Sequence, residues 1–370
     1  MKKALLPLIA VSLSSALLLA GCSSPAEPDN AEPNDRPIVE LTVSTTSATF
    51  GLKEDVAIYA AGIQLGYYEE EGIKLNMVSS DGSGAAIQAV AAGSADVSTP
   101  DAGSILTSVQ NGLPVTAIGG LVQNWPWRIA VPAGSPIKSG DDLKGKKIGV
   151  ISLASGSAPY ARAFAEGNGL DPETDVTLLP VGIGAQAAGA LTNEDVDALA
   201  LFTTAYVSIE QSGMEFDYLD NPKSMDGLRS LTFITSNGAL AQDKDVYERF
   251  LRASYKALVF SASNPEAAVR MGYAQYSQLA PAEDIKLDIE TLEDWIGIAT
   301  PKDASDLGAI TNWGEIPASD WDATQAFSIS AGQIEDEIDL DKVWDPSLLK
   351  AANDFDGAAV VAQAKDYVAK

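Results

Sequence analysis

Residues 79–103, SSDGSGAAIQAVAAGSADVSTPDAG, hold the densest run of groups able to grip a small polar molecule. Ser83 and Gly84 stand where a strand over 74–78 gives way to a small-residue helix over 85–92, which Gly93 and Ser94 end. A short strand over 95–98 follows, and Thr99, Pro100 and Asp101 open another helix. Both turns expose helix N-termini, whose unpaired N–H groups and partial positive charge suit a polar or anionic ligand group. In open α/β sheets the ligand crevice lies at the carboxyl ends of the strands, where such turns sit. Ser, Asp and Thr also cap ordinary helices, so this stretch alone leaves both roles open.

The device recurs. A strand over 38–45 ends in a hydroxyl-rich turn with Thr46 and Ser47. A strand over 147–151 runs into Ser155, Gly156 and Ser157, with a helix from about Ala158 and Pro159 in its first turn. Gly182, Gly184 and Ala185 open a third such helix after a strand over 176–181. A strand over 197–202 ends in Thr203, Thr204 and Tyr206. An acidic residue before a strand and a Thr after it also repeat, as Asp96 with Thr99 and Asp197 with Thr203. Strand and helix thus alternate twice, over 38–122 and over 147–206, which predicts two α/β lobes of similar build. A strand over 228–236 is placed to return the chain between them.

Trp125, Trp127 and Arg128 fall at the predicted crossing. Indole faces there suit a flat or cationic ligand, and Arg128 suits a carboxylate or sulfonate; packing of the crossing and a surface ion pair would use the same residues. The later tryptophans, Trp295, Trp313, Trp321 and Trp344, read as packing anchors of a mostly helical remainder.

Several chemistries are excluded. The chain has no histidine, which removes His triads, His metal sites and His general bases. Gly140 to Lys147 approach a P-loop, but Lys147 replaces the Mg²⁺-binding hydroxyl and the run precedes a strand. Gly182-Ile183-Gly184 lacks the third glycine of a dinucleotide fingerprint. The acidic run 335–341 lacks EF-hand spacing, and no serine sits in a G-x-S-x-G elbow. No catalytic residue, cofactor or metal is expected. A formal net charge of −27 argues against nucleic acid, which needs a basic footprint.

Residues 1–21 form a signal segment: Lys2 and Lys3, then an apolar run too short and serine-interrupted to span a bilayer. It ends Leu19-Ala20-Gly21-Cys22, which resembles the bacterial lipobox and implies lipidation of Cys22, the single cysteine of the chain. Residues 22–37, rich in Pro, Ser, Asp and Glu, make a flexible tether. The protein is therefore expected at the extracytoplasmic face of the cell membrane, lipid-anchored and otherwise soluble.

A lipobox, a tether and two α/β lobes resemble the solute-binding lipoproteins of ABC transporters. The details are similar to the nitrate/sulfonate/taurine and thiamine-precursor (NMT1/THI5-like) binding family. The matching stretches are GYYEEEGI at 66–73, AGSADV at 92–97, LKGKKIGV at 143–150, NPEAA at 264–268 and Trp313-Gly314 with Trp321. Each is loose alone, but their order is specific. The resemblance implies an α/β, class II periplasmic-binding-protein fold, two lobes around a ligand cleft with hinge crossings. It divides the chain into lobe 1, residues 38–124 plus about 238–370, and lobe 2, about 125–237. It implies a monomeric, non-enzymatic binding component of an importer, partnered by a permease and ATPase. The turns it implies as ligand-binding supply Thr46, Ser47, Ser83, Gly84, Thr99, Asp101, Ser155, Gly156, Ser157, Thr203 and Tyr206, to which the chemistry of the crossing adds Trp125, Trp127 and Arg128. The favoured ligand is a sulfonate or carboxylate organic acid, the alternative a neutral pyrimidine or thiamine precursor. An enzyme or sensor on the same fold is the remaining rival, and the histidine-dependent enzymes of this fold have no counterpart residue here.

Overall fold

The structure, a computed structural model, describes residues 37–153, 155–279, 285–302 and 304–368; Cys22 and the signal and tether segments lie outside them. Ten strands are described: β1 (Val39–Thr45), β2 (Ile73–Ser79), β3 (Val97–Ser98), β4 (Val115–Gly120), β5 (Trp127–Pro132), β6 (Lys146–Val150), β7 (Val176–Pro180), β8 (Ala198–Phe202), β9 (Phe216–Leu219) and β10 (Thr232–Ser236). They form two five-stranded sheets, ordered β2-β1-β3-β10-β4 and β7-β6-β8-β5-β9.

The two sheets share one plan. In the first, β1 runs parallel to β2 and β3, and β10 is antiparallel between β3 and β4. In the second, β6 runs parallel to β7 and β8, and β5 is antiparallel between β8 and β9. The antiparallel strand of each sheet comes from where the chain arrives from the other lobe. The strand expected over 228–236 is β10, and it pairs with β3 and β4 of the first sheet.

The repeated acidic residue has a structural cause. Asp96 Oδ2 accepts a hydrogen bond from Thr42 N at 2.7 Å, and Asp197 Oδ2 accepts one from Lys147 N at 2.9 Å. Each carboxylate thus takes an N–H of the neighbouring parallel strand, in the middle of β1 and near the start of β6. Parallel strands are buried on both faces, and β8, ALALF, is accordingly buried through Leu201. Lobe 1 packs Leu41, Val43, Val97 and Phe233 against Phe250, Tyr255 and Leu258 of the long helix Lys244–Ser263; lobe 2 packs Ile129, Ile148 and Val150 against Tyr160 and Phe164. That long helix is amphipathic and capped by Asp243, which accepts from Val246 N.

Two C-terminal helices reach both lobes. Ile285–Ala299 packs on Thr203–Glu210 of lobe 2. Ala318–Ser330 buries Trp321 in lobe 1 while Ala323 and Phe327 pack on the lobe 2 core. Among the described residues, no helix is long and apolar enough to cross a membrane.

Candidate functional site

The carboxyl ends of both sheets face a cleft of about 740 Å³ between the lobes, within the range typical of small-molecule sites. Lobe 1 contributes the turn after β1, with Thr46 and Ser47, and then Lys53 and Glu54. Ser83 is the first residue of the helix Ser83–Ala91; its Oγ accepts from Asp101 N at 3.2 Å. Asp101 caps the helix Ala102–Gln110, its Oδ1 accepting from Ser104 N at 2.8 Å and its Oδ2 from Ser104 Oγ at 2.6 Å. Gly103 lies beside this cap, and a β-carbon there would come within 2.8 Å of Gln333 Oε1; the bare backbone leaves room for the glutamine.

Lobe 2 contributes Ser155 and Gly156 from the turn after β6, and Phe202, Thr203 and Thr204 from the end of β8. Thr203 Oγ1 donates to Pro126 O at 2.9 Å, tying that turn to the crossing. A β-carbon at position 156 would stand 3.1 Å from the Trp127 indole, so glycine lets that ring lie close to the helix start. Trp127 also meets Phe202 edge-on with centroids 5.8 Å apart. The C-terminal helices close the cleft with Trp295, Thr324, Phe327 and Ser328, followed in the chain by Gln333.

Lys53 and Glu54 bring a buried charge cluster to the cleft wall. Lys53 Nζ lies 2.5 Å from Glu54 Oε1 and 2.9 Å from Asp55 Oδ2. Glu54 and Asp55 are 1% and 0% exposed, so two buried carboxylates share one ammonium. Burial, and then the Glu54 charge, push the Asp55 carboxyl up to about 6. Burial opposes the Lys53 charge, but the two carboxylates outweigh it and hold its pKa above the ordinary lysine value. A π-helical turn, Asp55–Ala60, begins at this cluster; such turns concentrate at functional sites.

Residues 53–268 match the family described as NMT1/THI5 like. The chain belongs to that family. Among relatives of this NMT1/THI5-like protein is the riboflavin-binding protein RibY of Chloroflexus aurantiacus, 25% identical and covering 89% of this chain and 93% of its own. Another is a formylaminopyrimidine-binding protein of Halalkalibacterium halodurans, 23% identical over 71% of this chain and 81% of its own. The periplasmic aliphatic sulphonate-binding protein SsuA of Escherichia coli has a similar structure: TM-score 0.62, 18% identity, 83% of this chain and 92% of that one. The fold is the two-lobed periplasmic-binding fold, that of the substrate-binding component of ABC importers.

Of the residues singled out in the sequence of this NMT1/THI5-like protein, Thr46, Ser47, Ser83, Asp101, Trp125, Trp127, Ser155, Gly156 and Thr203 line the cleft. Five do not. Arg128 follows Trp127 in β5, and successive residues of a strand face opposite sides; its guanidinium lies over the Tyr218 ring, 5.5 Å from the centroid. Tyr206 is fully buried, its Oη placed 2.7 Å from Leu199 O and 3.1 Å from Leu201 N. Ser157 is buried, its Oγ accepting from Ile151 N at 2.8 Å. Thr99 is buried with its hydroxyl toward Tyr59, and Gly84 lies on the exposed side of its helix. Gly184 and Ala185, offered as a third helix start aimed at the cleft, also lie off it.

The sequence reading missed Lys53, Glu54, Arg162, Phe202, Arg229, Phe327, Ser328 and Gln333 on the cleft wall, and assigned Trp295 to packing alone. A usable signal existed for one pair: Lys53-Glu54-Asp55 runs straight into the apolar stretch 56–61, an unusual place for three charges. Arg229 bonds Asp320, with Nη2 at 2.6 Å from Oδ2, and donates from Nη1 to Gln123 O at 2.9 Å. It thereby joins both crossings to the helix Ala318–Ser330.

Proposed function

We propose that the protein is the solute-binding component of an ABC importer and that its solute is a small, flat aromatic molecule. The observation that carries this is the ring content of the cleft: Trp125 and Trp127 from the crossing, Phe202 from lobe 2, and Trp295 and Phe327 from the C-terminal helices. Rings on several sides of a cleft this size suit a planar body, which they cover at low conformational cost. The names of two relatives, a riboflavin-binding and a formylaminopyrimidine-binding protein, point the same way. A solute touching both lobes binds the closed arrangement better than the open one, and that difference in affinity drives closure. The closed form would then be presented to a permease–ATPase pair, the protein acting as a monomer held at the extracytoplasmic face by a lipid on Cys22. No catalytic step is assigned to it.

An acidic substituent on the solute, a sulfonate or carboxylate, is a second reading supported by Arg162. That side chain lines the cleft from the helix Ser157–Gly167, and its surface pair to Glu173 at 3.1 Å leaves both partners largely exposed and weakly held.

Titration calorimetry with a flavin, an aminopyrimidine and an arenesulfonate, beside taurine and nitrate, tests the aromatic reading. Saturable binding is expected among the aromatic probes. Tight binding of taurine or nitrate with all aromatic probes silent would sink it. Loss of fatty-acid labelling in Cys22→Ala tests the anchor.

A further inference from the structure

Four buried polar atoms of the cleft lining have no hydrogen-bond partner among the described residues: Glu54 Oε2, Ser328 Oγ, Gln333 Oε1 and Trp125 Nε1. Buried polar groups are nearly always paired, and leaving one unpaired costs stability. A run of such atoms along one cleft therefore marks where partners arrive from outside the chain. Their types describe the partner. Glu54 Oε2 and Gln333 Oε1 accept, Trp125 Nε1 donates, and Ser328 Oγ does either.

We propose that the cleft selects a heteroaromatic solute that carries N–H donors, and that Glu54 is the residue that accepts from it. This rests on the reading of the cleft as a site for a flat aromatic solute, and adds which edge chemistry that solute presents. Glu54 is held for the task. Its Oε1 is fixed by Lys53 at 2.5 Å, which leaves Oε2 as the free acceptor, and the residue is 1% exposed although it lines the cleft. Trp125 Nε1, a donor, complements a ring carbonyl or ring nitrogen on the same solute. An imide or amino-azine edge, with N–H and acceptor side by side, satisfies this mixture.

A solute that only accepts does not. A sulfonate could take the hydrogens of Trp125 and Ser328, but at Glu54 it would set an anion against a carboxylate whose lysine is already shared with Asp55. The raised Asp55 carboxyl is consistent with surplus negative charge at this spot. Lys53 and Glu54 follow the first strand and Ser328 and Gln333 come from the C-terminal part, so the donor-bearing solute would be read from two directions.

The test uses lumichrome, a flat tricycle with two ring N–H groups, its 1,3-dimethyl derivative, which has the same rings and none, and naphthalene-2-sulfonate. The proteins are the wild type, Glu54→Gln and Ser328→Ala. Lumichrome should bind at least about ten-fold more tightly than the dimethyl derivative, the scale of one hydrogen bond to a charged acceptor. Glu54→Gln should weaken lumichrome about ten-fold or more and leave the dimethyl derivative within about two-fold, with no fall in the melting temperature of the unliganded protein. A purely structural Glu54 would instead lower the melting temperature and weaken every probe alike. Ser328→Ala, a small deletion beside Gly103, supplies a second variant that should discriminate against lumichrome in the same sense. Equal affinity for lumichrome and its dimethyl derivative overturns the proposal and leaves the aromatic reading intact, as does naphthalene-2-sulfonate binding while lumichrome does not. Failure of all three probes removes the aromatic reading and this proposal with it.

Discussion

Trp125 meets the ring of Phe327 edge-on, with centroids 5.4 Å apart and planes at 69°. One residue belongs to the first crossing between lobes and the other to a C-terminal helix anchored in lobe 1 by the buried Trp321. Both rings line the cleft, so the pair links the crossing segment to a C-terminal helix at the cleft wall.

Phe327→Ala should therefore affect both binding and closure. An edge-to-face pair contributes about 0.5–1.5 kcal/mol beyond area burial. The expected result is roughly a ten-fold loss of affinity for an aromatic solute, with a modest loss of stability because Phe327 is only half-buried. Calorimetry and thermal unfolding, run side by side, check it. Unchanged affinity would mean that the helix is a bystander.

Arg229 and Asp320 form a second, polar tie at the same crossing, with side-chain exposures of 14% and 17%. Removing one member of a largely buried pair leaves the other charge uncompensated. Arg229→Leu should destabilise the protein by about 3 kcal/mol, and Arg229→Leu with Asp320→Leu by clearly less. A double-mutant cycle by urea unfolding measures the coupling. Additive losses would show that the pair contributes nothing beyond its separate parts.

Much of this architecture was legible in local sequence. Gly/Ser turns between strands and helices announced the cleft turns, because a strand followed by a capped helix leaves few other places for Ser83 and Ser155. The Asp96 and Asp197 repeat announced twin lobes. What was not legible depends on register and distance. Trp127 and Arg128 read as one crossing in the sequence, but both belong to β5, whose alternation sends Trp127 to the cleft and Arg128 to Tyr218. Phe327 and Ser328, in the helix Ala318–Ser330, and Gln333 just after it lie over 200 residues from the first strand, and the helix carries no strong apolar stripe because Trp321 and Phe327 serve two different cores. Nothing local distinguishes them from surface residues.

Stability should depend on pH through Asp55. Its folded pKa, raised to about 6, exceeds the unfolded value of about 3.8. The folded state then binds a proton that the unfolded state has released, so this group favours folding at low pH and loses that contribution as pH rises from about 4 through 6. The effect amounts to a few kcal/mol at most. Asp55→Asn removes the titration while keeping an acceptor for Gly51 N, which Asp55 Oδ2 now accepts from at 2.9 Å. The melting temperature of the variant minus that of the wild type should rise across this window. A flat difference from pH 4 to 8 would rule the linkage out.

The twin carboxylates make a comparison internal to one chain. Asp96 and Asp197 each accept from a backbone N–H of the adjacent parallel strand, at 2.7 and 2.9 Å. A hydrogen bond to a charged acceptor contributes about 1.5–3 kcal/mol, and alanine leaves the N–H of Thr42 or Lys147 without it. Asp197 also pairs with Lys146 Nζ at 3.3 Å, but both side chains are more than a third exposed, so that pair adds little. Asp96→Ala should cost about 2 kcal/mol, and Asp197→Ala about the same or slightly less, since Lys147 N lies nearer solvent. Hydrogen exchange locates the damage: faster exchange is expected in β1 and β3 for Asp96→Ala and in β6 and β8 for Asp197→Ala, each confined to its own lobe. Exchange that quickens in both lobes for either substitution would show that the two sheets unfold as one unit, and the picture of two independently braced lobes would fall.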